Sequence, residues 1–408
     1  MKYIILVGDG MGDLPLSELD YRTPLEAANT PTIDNLCHNG ELFRLQTIPS
    51  TMPPGSDIAN LSLLGYEPQD FYTGRAPLEA ASMGIKLGKG ETAYRCNLVN
   101  LKKNGPDSLI MVDFSAGHIP TAESSILITG LQEKLGSDLF HFYPGISYRH
   151  LMVYKNKLSG LITVPPHDYI GKNVAAFWKR YLQYQDLQLM LESACSILEN
   201  HPINKQRLQN GQLTANYIWL WGEGKAPTMP TIEEQFGLTG SMISAVDLLK
   251  GIGVYGGLDV INVEGATGYL DTNYAGKAAA ALEALTHKDF VFVHVEAPDE
   301  AGHQGNIPDK IRAIEDFDSK IVKPVLEGLQ SMKNSQDFRL VICMDHFTPI
   351  SLRTHSEHPV PVILYDSRQQ GPKSGLGYSE KNGEKTGILL TSGLEFFNKL
   401  LQRDKGAP

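Results

Sequence analysis

The stretch FVFVHVEAPDEAGH, residues 290–303, places an apolar run directly before a segment that carries a carboxylate and an imidazole. The run Phe290–Val295 is rich in β-branched and aromatic residues, as is typical of a buried strand, and Asp299 and His303 follow shortly after it. Open α/β sheets build their active sites at the carboxyl ends of their strands. The stretch therefore predicts an α/β fold with reactive side chains at one edge of its sheet.

Two further segments repeat this arrangement. Asp345 and His346 come directly after the apolar run Leu340–Met344, and His355 precedes the run Val360–Tyr365. A single histidine at any of these places is more often structural, but three Asp/His groups beside successive strands indicate a common site. We expect these side chains at strand ends and not within helices.

The apolar pattern elsewhere supports the same fold class. Strand-like runs cover residues 3–7, 258–263 and 338–344, and helical patterns separate several of them. Across residues 310–333, apolar side chains recur every three or four positions, which predicts one long helix despite Pro324.

The whole chain has the composition of an ordinary globular protein, with 408 residues, 42% hydrophobic and 20% charged, and a net charge of -10. This length predicts two domains, or one core with a large insertion. The negative charge argues against nucleic acid or an anionic membrane as a partner, since both need a concentrated positive surface. The first apolar run is too short for a signal peptide or a membrane span, and four scattered cysteines favour a reducing cytoplasm.

The middle of the chain has a different pattern of predicted elements. It combines short strands, such as residues 148–154, with a helix over residues 173–199 and several proline breaks. We interpret residues 72–237 as a smaller domain that is inserted into a core domain formed by residues 1–71 and 238–408.

Asp9 and Ser56 are further candidates for the same site, and each also has a simpler explanation. Asp9 follows the first strand between two glycines, where it either makes a turn or helix cap or reaches the carboxyl edge of the sheet. Ser56 follows a rigid Pro-Pro-Gly sequence at or near the start of a helix. It is either the N-cap of that helix or a metal-activated nucleophile whose transferred anion is held by the helix N-terminus.

The types of donor narrow the choice of metal. Carboxylates and imidazoles without thiolates suit Mn²⁺, Zn²⁺ or Fe²⁺, and suit Mg²⁺ less well. The donors suffice for two ions, and paired ions about 3.5 to 4 Å apart commonly clamp the entering and leaving oxygens of phosphoryl transfer. The candidate donors are Asp9, Ser56, Asp299, His303, Asp345, His346 and His355.

These residues resemble the alkaline phosphatase superfamily and, within it, the archaeal-type cofactor-independent phosphoglycerate mutases, a branch that includes a proposed homoserine kinase-like subgroup. The resemblance covers nearly the whole chain. It implies an alkaline phosphatase-like α/β/α core with a central, mostly parallel sheet and an inserted smaller α+β cap domain. Its most specific motifs are Gly8-Asp9-Gly10, Gly55-Ser56-Asp57, Tyr72-Thr73-Gly74-Arg75, Arg95-Cys96-Asn97, Gly265-Ala266-Thr267-Gly268, residues 297–305, Asp345-His346-x-Thr348-Pro349 and His355-x-x-x-Pro359-Val360-Pro361.

The resemblance also implies two metal sites around a serine that becomes phosphorylated. Manganese is the metal it favours, with magnesium or zinc as alternatives. His358 falls where relatives often carry Asp or Asn, and we treat it as a neighbour of the site. The first metal would be held by Asp9, Ser56, Asp345 and His346, and the second by Asp299, His303 and His355.

In such enzymes the cap domain closes over the metal centre and supplies cations and hydrogen-bond donors for the carboxylate and phosphate of the substrate. Arginines rank first because their planar fork matches both groups. Each such residue also has a simpler explanation as a solvated or salt-bridged surface residue. The candidates are Arg75, Arg95, His118, Arg149 and His150, together with Lys225 and Lys250.

The implied activity is a metal-dependent interconversion of 3-phosphoglycerate and 2-phosphoglycerate through phosphoserine, without bisphosphoglycerate, as in glycolysis and gluconeogenesis. The partner would be a small phosphorylated carboxylic acid, with neither nucleic acid nor membrane, and the oligomeric state stays open. A homoserine kinase-like phosphotransferase or a phosphatase is the alternative, although the chain lacks a Gly-x-x-x-x-Gly-Lys-Ser/Thr loop. A non-enzymatic metal-binding module is disfavoured because it has no use for Ser56.

Overall fold

The computed structural model describes residues 1–105, 107–155, 161–332, 337–369 and 371–402. The chain divides into two compact units, which we call the core unit and the inserted unit. The core unit comprises Met1–Tyr72 and Thr228–Pro408, and the inserted unit comprises Thr73–Pro227.

Strands and helices are numbered along the whole chain. The strands are β1 (Lys2–Gly8), β2 (Glu41–Leu45), β3 (Thr92–Lys103), β4 (Leu109–Asp113), β5 (Phe140–Tyr143), β6 (Arg149–Tyr154), β7 (Tyr217–Gly224), β8 (Gly240–Ile243), β9 (Asp259–Ile261), β10 (Phe290–Val295), β11 (Phe338–Cys343), β12 (Val360–Asp366) and β13 (Leu389–Leu390). The helices are α1 (Pro24–Ala27), α2 (Pro31–Asn39), α3 (Ser56–Leu63), α4 (Pro68–Phe71), α5 (Arg75–Ser82), α6 (Thr121–Leu135), α7 (Ala175–Tyr181), α8 (Gln185–Asn200), α9 (Pro202–Gln209), α10 (Ile232–Phe236), α11 (Asp247–Tyr255), α12 (Tyr274–Leu285), α13 (Ala297–Gln304), α14 (Ile307–Phe317), α15 (Lys323–Ser331), α16 (Glu380–Lys385) and α17 (Gly393–Leu401).

The core unit is built on an eight-stranded sheet in the order β13-β2-β12-β11-β1-β10-β8-β9. β1 pairs in parallel with both β10 and β11, whereas β12 runs antiparallel to its two neighbours. Every residue of β10 and β11 is buried, which explains why the sequence shows continuous apolar runs there instead of an alternating pattern. The predicted α/β fold with a mostly parallel central sheet is confirmed.

The helix predicted over residues 310–333 is interrupted. α14 ends at Phe317, a π-helical turn covers Asp318–Val322, and α15 follows with Pro324 in its first turn. Proline has no amide hydrogen and its ring clashes with the carbonyl four residues earlier, so the wider turn accommodates it. Lys333, the predicted last residue of the helix, lies outside the described residues.

The inserted unit ends at Pro227, whereas the sequence analysis places that boundary at residue 237. The segment between the two positions carries α10, whose Phe236 ring stacks on Phe397 with ring centroids 4.2 Å apart. This segment therefore packs with the core unit.

The inserted unit has its own antiparallel sheet in the order β4-β3-β6-β5, and β7 also pairs with β3. The helix predicted over residues 173–199 is in fact two helices, α7 and α8. The break occurs because Tyr184 takes an extended backbone conformation, while Tyr181 is buried and donates its hydroxyl to the Leu220 carbonyl. Tertiary packing thus overrides a helical sequence pattern here.

In the described part of the chain, no helix is both long enough and apolar enough to span a bilayer.

Candidate metal centre and catalytic serine

Three neighbouring strands bring the candidate residues to one edge of the core sheet. Asp9 follows β1, Asp345 follows β11, and β10 leads into α13. Because β1 is parallel to both neighbours, the three carboxyl ends meet at the same edge. The Asp9 amide donates to the Val295 carbonyl (2.9 Å), and the Gly10 amide donates to Asp345 Oδ1 (3.1 Å).

The first cluster consists of Asp9, Ser56, Asp345 and His346. His346 Nε2 lies 3.4 Å from Asp9 Oδ1, 3.6 Å from Asp345 Oδ2 and 3.1 Å from Ser56 Oγ. The three Asp and His side chains are buried, and Ser56 is half-buried. The structure therefore brings together all four residues expected at the first metal.

The second cluster consists of Asp299, His303 and His355. His303 Nε2 lies 2.9 Å from His355 Nε2 and 3.3 Å from Asp299 Oδ2, and His355 Nε2 lies 3.5 Å from Asp299 Oδ1. The His346 and His355 rings are 4.2 Å apart between centroids, so the two clusters adjoin.

Asp299 and His303 lie on a helix, which corrects the expectation that the candidate ligands avoid helices. α13 begins at Ala297 with Pro298 in its first turn, a position where proline is well tolerated. The spacing of four residues places both side chains on one face of this helix. The prediction failed because the helix starts only two residues after β10 ends.

The donor arrangement fits divalent cations. Asp9 Oδ1 is buried and has no hydrogen-bond partner among the described residues. His303 Nε2 and His355 Nε2 face each other, and the carboxylate oxygens of Asp299 lie close to both. The second cluster therefore contains more hydrogen-bond acceptors than hydrogens that could be donated to them. Cations held by such oxygen and nitrogen donors would satisfy these atoms together.

Burial and neighbouring charges shift the pKa values of these groups in different directions. Burial, together with the charge of Asp345, raises the pKa of Asp9 well above its ordinary value. Burial would also raise the pKa of Asp345, but the charges of His346 and His294 hold it below its ordinary value. In the second cluster, the hydrogen bond that His303 donates to the Asp299 carboxylate raises the pKa of His303 to about 9. The raised pKa values of Asp9 and His303 mean that, without a metal, protons bind where the cations would otherwise bind.

Ser56 is the first residue of α3 and not its N-cap. Gly55 holds the cap position, and no side chain caps the helix. The Ser56 hydroxyl instead contacts His346, and Asn60 donates to both the Ser56 carbonyl and Asp345 Oδ2 (2.8 Å each). The simpler explanation of Ser56 as a capping residue is therefore wrong.

Three residues at this edge carry no role predicted from the sequence, although Thr348 lies in one of the quoted motifs. Thr348 hydrogen-bonds Asp299 Oδ1 and lies 3.2 Å from His346 Nδ1. Asn60 links the serine helix to Asp345, and its spacing of four from Ser56 was an available signal. His294 is buried inside β10 beside Asp9, where an apolar strand gives no hint of a functional histidine.

Arg95 lies within a cationic group in the inserted unit. Its guanidinium carbon is 4.1 Å from the centroid of the Trp221 ring, and its Nε donates to Glu79 Oε2 (3.0 Å). Burial lowers the pKa of Arg95, Glu79 opposes this effect, and the nearby charges of Arg75 and Arg149 add to it. Arg95 and Arg75 both approach Gly222, within 3.8 Å of where its Cβ would lie, and the charge of Arg149 also acts on Arg95.

His167 joins this group, although the sequence analysis did not select it. Its ring lies 5.6 Å from Trp221 and 6.1 Å from Phe114 between centroids. Burial lowers its pKa, and the charges of Arg95 and Arg75 add to this effect. No motif marks this histidine in the sequence.

The two other histidines predicted in the inserted unit differ in setting. His118 is exposed, has a left-handed φ of 51° and lies 6.1 Å from the Tyr148 ring. His150 is 2% exposed, and its Nδ1 accepts a hydrogen bond from the Gly145 amide (2.9 Å). Burial lowers the pKa of His150 to about 3, and its Nε2 is buried with no hydrogen-bond partner among the described residues.

The remaining candidates have other local partners. Lys225 has an exposed side chain, and its carbonyl accepts a hydrogen bond from the Thr73 hydroxyl. Lys250 lies on α11 and pairs with Asp247 at 3.8 Å. His358 is exposed and stacks on Phe347, with ring centroids 5.1 Å apart.

A solved structure shares this fold. A solved cofactor-independent phosphoglycerate mutase from Thermoplasma acidophilum aligns with a TM-score of 0.65 and 27% identity, covering 98% of this chain and 99% of its own. The fold and the donors at its sheet edge thus define an α/β enzyme of the cofactor-independent mutase class.

Sequence comparison gives the family. The model of the 2,3-bisphosphoglycerate-independent phosphoglycerate mutase family matches residues 37–204. A probable enzyme of that description from Geobacter sulfurreducens is 49% identical over 99% of this chain and 100% of its own length. One from Methanosarcina acetivorans is 48% identical over 95% of this chain and 96% of its own length. The chain belongs to the 2,3-bisphosphoglycerate-independent phosphoglycerate mutase family.

Proposed function

We propose that this enzyme interconverts 3-phosphoglycerate and 2-phosphoglycerate by metal-dependent phosphoryl transfer through a phosphoserine at Ser56. The observation that carries the proposal is the position of the Ser56 hydroxyl. It lies 3.1 Å from His346 Nε2, in a cluster with two buried aspartates, and it caps no helix. The activity in the names of the relatives supports the same reaction.

The proposal includes two divalent cations, of which Mn²⁺ is the best match to mixed carboxylate and imidazole donors. Such ions neutralise charge on phosphoryl oxygens and lower the pKa of a coordinated hydroxyl. The first would be held by Asp9, Ser56, Asp345 and His346, and the second by Asp299, His303 and His355.

Ser56 carries the phosphoryl group between two oxygens of the same glycerate. Ser56 Oγ attacks the phosphorus of 3-phosphoglycerate, the bond to the 3-oxygen breaks, and the serine proton ends on that oxygen. The 2-hydroxyl of glycerate then attacks phosphoserine, loses its proton and releases Ser56, which regains one. The amide groups of the first turn of α3 favour the transferred anion at this position.

The cationic group of the inserted unit suits the carboxylate of such a substrate. Arg75, Arg95 and Arg149 provide planar donors that match a carboxylate or phosphate. Exclusion of water during the phosphoserine stage would separate mutase from phosphatase activity. We therefore propose these three arginines as substrate-binding residues.

The four cysteines bear on the location of the enzyme. All of them are free thiols, and Cys37, Cys96 and Cys343 are buried. We include a reducing cytoplasmic location in the proposal for this reason.

The test is an assay of purified protein with Mn²⁺ and 3-phosphoglycerate in the absence of bisphosphoglycerate. Ser56→Ala should lower formation of 2-phosphoglycerate by more than about a thousandfold, as expected for loss of a nucleophile. Its Mn²⁺ stoichiometry should remain at two ions per chain. Ser62→Ala is the matched control, because Ser62 lies on the same helix and donates to the Thr47 carbonyl instead.

Two results would overturn the proposal. One is mutase activity in Ser56→Ala within tenfold of the parent enzyme. The other is turnover only in a parallel assay with homoserine and ATP, which would assign the same site to a kinase.

A further inference from the structure

His294 is a fully buried histidine that contacts two of the proposed metal ligands. It lies on β10, and its Nε2 is 3.4 Å from Asp9 Oδ2 and 3.6 Å from Asp345 Oδ2. These distances are longer than ordinary N–H···O hydrogen bonds, and Nε2 has no closer partner among the described residues. The Nε2 edge of the ring therefore faces the two carboxylates.

The two oxygens of Asp9 face two different imidazoles. Oδ1 lies 3.4 Å from His346, on the side of Ser56, whereas Oδ2 lies 3.4 Å from His294. The oxygens of a carboxylate are rigidly linked, so a contact that fixes Oδ2 also fixes the direction of Oδ1. His294 is thus placed to set the orientation that Asp9 presents to the first cluster.

His294 is itself held by a buried polar array. Its Nδ1 lies 3.2 Å from Glu296 Oε1, which also accepts hydrogen bonds from the Ser244 hydroxyl (2.9 Å) and the Ala245 amide (3.0 Å). Lys277 Nζ donates to Glu296 Oε2 (2.9 Å) and to the His294 carbonyl (3.0 Å). Lys277 is fully buried and Glu296 nearly so.

Such an array is costly in the interior of a protein. Buried charges lose their hydration and are retained only when they are paired and fully hydrogen-bonded. An apolar residue at position 294 would suit the rest of β10 and would remove the need for Glu296 and Lys277. In metal sites, carboxylate–histidine pairs of this kind orient the ligands and strengthen metal binding.

We infer that His294 is a positioning residue that orients Asp9 and Asp345 as metal ligands, and that Glu296, anchored by Lys277, fixes the His294 ring. The inference rests on the proposed function in so far as Asp9 and Asp345 bind a metal. It adds a second layer of residues behind the first cluster.

The test compares three variants by calorimetric titration with Mn²⁺ and by steady-state kinetics. His294→Ala should lower Mn²⁺ affinity by about 10- to 100-fold, the usual effect of removing a residue that supports a ligand. At saturating Mn²⁺ its kcat should fall by a larger factor than its KM for 3-phosphoglycerate rises. His294→Gln keeps an N–H donor at about the same reach as Nε2 and should recover part of the lost affinity.

Val293→Ala is the matched control. Val293 is fully buried on the same strand, but adjacent strand residues point to opposite faces of the sheet. It should lower the midpoint of thermal unfolding while leaving Mn²⁺ affinity within about twofold of the parent. Circular dichroism on every variant shows whether it is folded. If His294→Ala does not fold, the Mn²⁺ affinity of His294→Gln tests the inference instead.

The outcomes separate this inference from the proposed function. Parental Mn²⁺ affinity in a folded His294 variant, or an equal loss of affinity in Val293→Ala, overturns the inference. A parent enzyme that binds Mn²⁺ but makes no 2-phosphoglycerate, with weaker binding in His294→Ala, overturns the proposed function and supports the inference. A parent protein that binds no divalent cation overturns both.

Discussion

Gly10 allows the turn after β1 to lie against the second cluster. Its φ is +60°, and a Cβ atom there would lie 2.6 Å from Asp299 Oδ1 and from Thr348 Oγ1, and 2.8 Å from Asp299 Cα. Because a backbone atom is among these contacts, the overlap cannot be relieved by a side-chain rotation alone. Gly10→Ala should therefore displace Asp299 and weaken Mn²⁺ binding by about tenfold or more, as titration calorimetry would show.

Gly237→Ala separates this effect from backbone strain. Gly237 has a similar φ of +70°, but a Cβ atom there would meet nothing within 4 Å. This control should cost about 1 kcal/mol in the free energy of unfolding, the usual penalty of a left-handed conformation, without a change in Mn²⁺ affinity. Equal Mn²⁺ affinity in the two variants would contradict the role assigned to Gly10.

Lys310 is a buried cation on α14 that ties two loops of the core unit together. Its Nζ donates to Asp13 Oδ2 (2.8 Å), to the Gly12 carbonyl (3.0 Å) and to the Thr348 carbonyl (2.8 Å). Lys310→Met would leave Asp13 buried without its cation. We expect a loss of about 3–5 kcal/mol in the free energy of unfolding, measured with urea.

The double variant Asp13→Asn with Lys310→Met tests this explanation. It removes both charges, so it should be more stable than Lys310→Met alone. A double variant as unstable as the sum of the two single variants would show that Lys310 acts without Asp13.

At the scale of single residues, the sequence predicts the candidate metal ligands better than it predicts the residues that position them. Asp345 and His346 stand out because metal chemistry requires those residue types in short motifs beside strands. His294 does not, because a histidine inside a buried strand has the same sequence context as a packing residue. Its partner Lys277 lies 17 positions away, and only the fold brings the two together.

At the scale of elements, α16 is held in place by a carboxyl group that resists ionisation. Glu380 is the first residue of α16, and it accepts hydrogen bonds from the Asp13 amide (3.1 Å) and the Thr23 hydroxyl (2.9 Å). Burial raises its pKa from 4.5 to about 7, although these hydrogen bonds oppose the effect. The folded protein therefore keeps the proton at pH values where the unfolded chain has lost it.

This difference predicts a pH-dependent stability. Since the folded pKa is the higher one, the contribution of Glu380 is fully present below about pH 4.5 and is lost as the pH rises through about 7. The gap between the two pKa values corresponds to about 3 kcal/mol. Urea unfolding between pH 5 and 8 should show the parent losing stability relative to Glu380→Gln. A constant difference between the two proteins over that range would refute the prediction.

The elements that the sequence predicts well are those whose pattern arises from burial. β10 forms at its predicted residues because a strand that is covered on both faces needs a continuous apolar run. The helix over residues 310–333 kept its apolar face but not its continuity, because Pro324 imposes a local backbone conformation that periodicity does not report. α13 was missed because only one residue, Glu296, separates it from β10.

At the scale of the whole molecule, the sequence predicts the insertion from a change in the pattern of strands, helices and proline breaks. The limits of the inserted unit, however, are set by packing. The start of the inserted unit is marked by a turn-rich segment near Thr73. Its end is less clear, since α10 has no sequence feature that assigns it to one unit, and the contact of Phe236 with Phe397 decides the matter. A unit boundary that depends on a contact with a residue far along the chain cannot be predicted from the local sequence.

The two ends of the inserted unit lie next to each other, which makes it a natural unit to remove. The Thr73 hydroxyl donates to the Lys225 carbonyl (2.6 Å), and Gly74 lies against the Glu223 carbonyl so closely that a Cβ atom would be 2.1 Å from that oxygen. A short Gly-Ser linker in place of residues 73–227 can therefore join the core unit without strain. Domain insertions are commonly tolerated where chain ends are adjacent.

We expect the linked core to fold and to bind two Mn²⁺ ions, because all seven proposed ligands belong to the core unit. It should form no 2-phosphoglycerate from 3-phosphoglycerate, because Arg75, Arg95 and Arg149 are absent. Residues 73–227 expressed alone should give a cooperative thermal transition, since this unit has its own sheet and its own apolar clusters. Calorimetry, Mn²⁺ titration and the mutase assay on the two fragments test these points separately. Mutase activity in the linked core would show that the arginines of the inserted unit do not bind the substrate, because the reaction would then proceed without them.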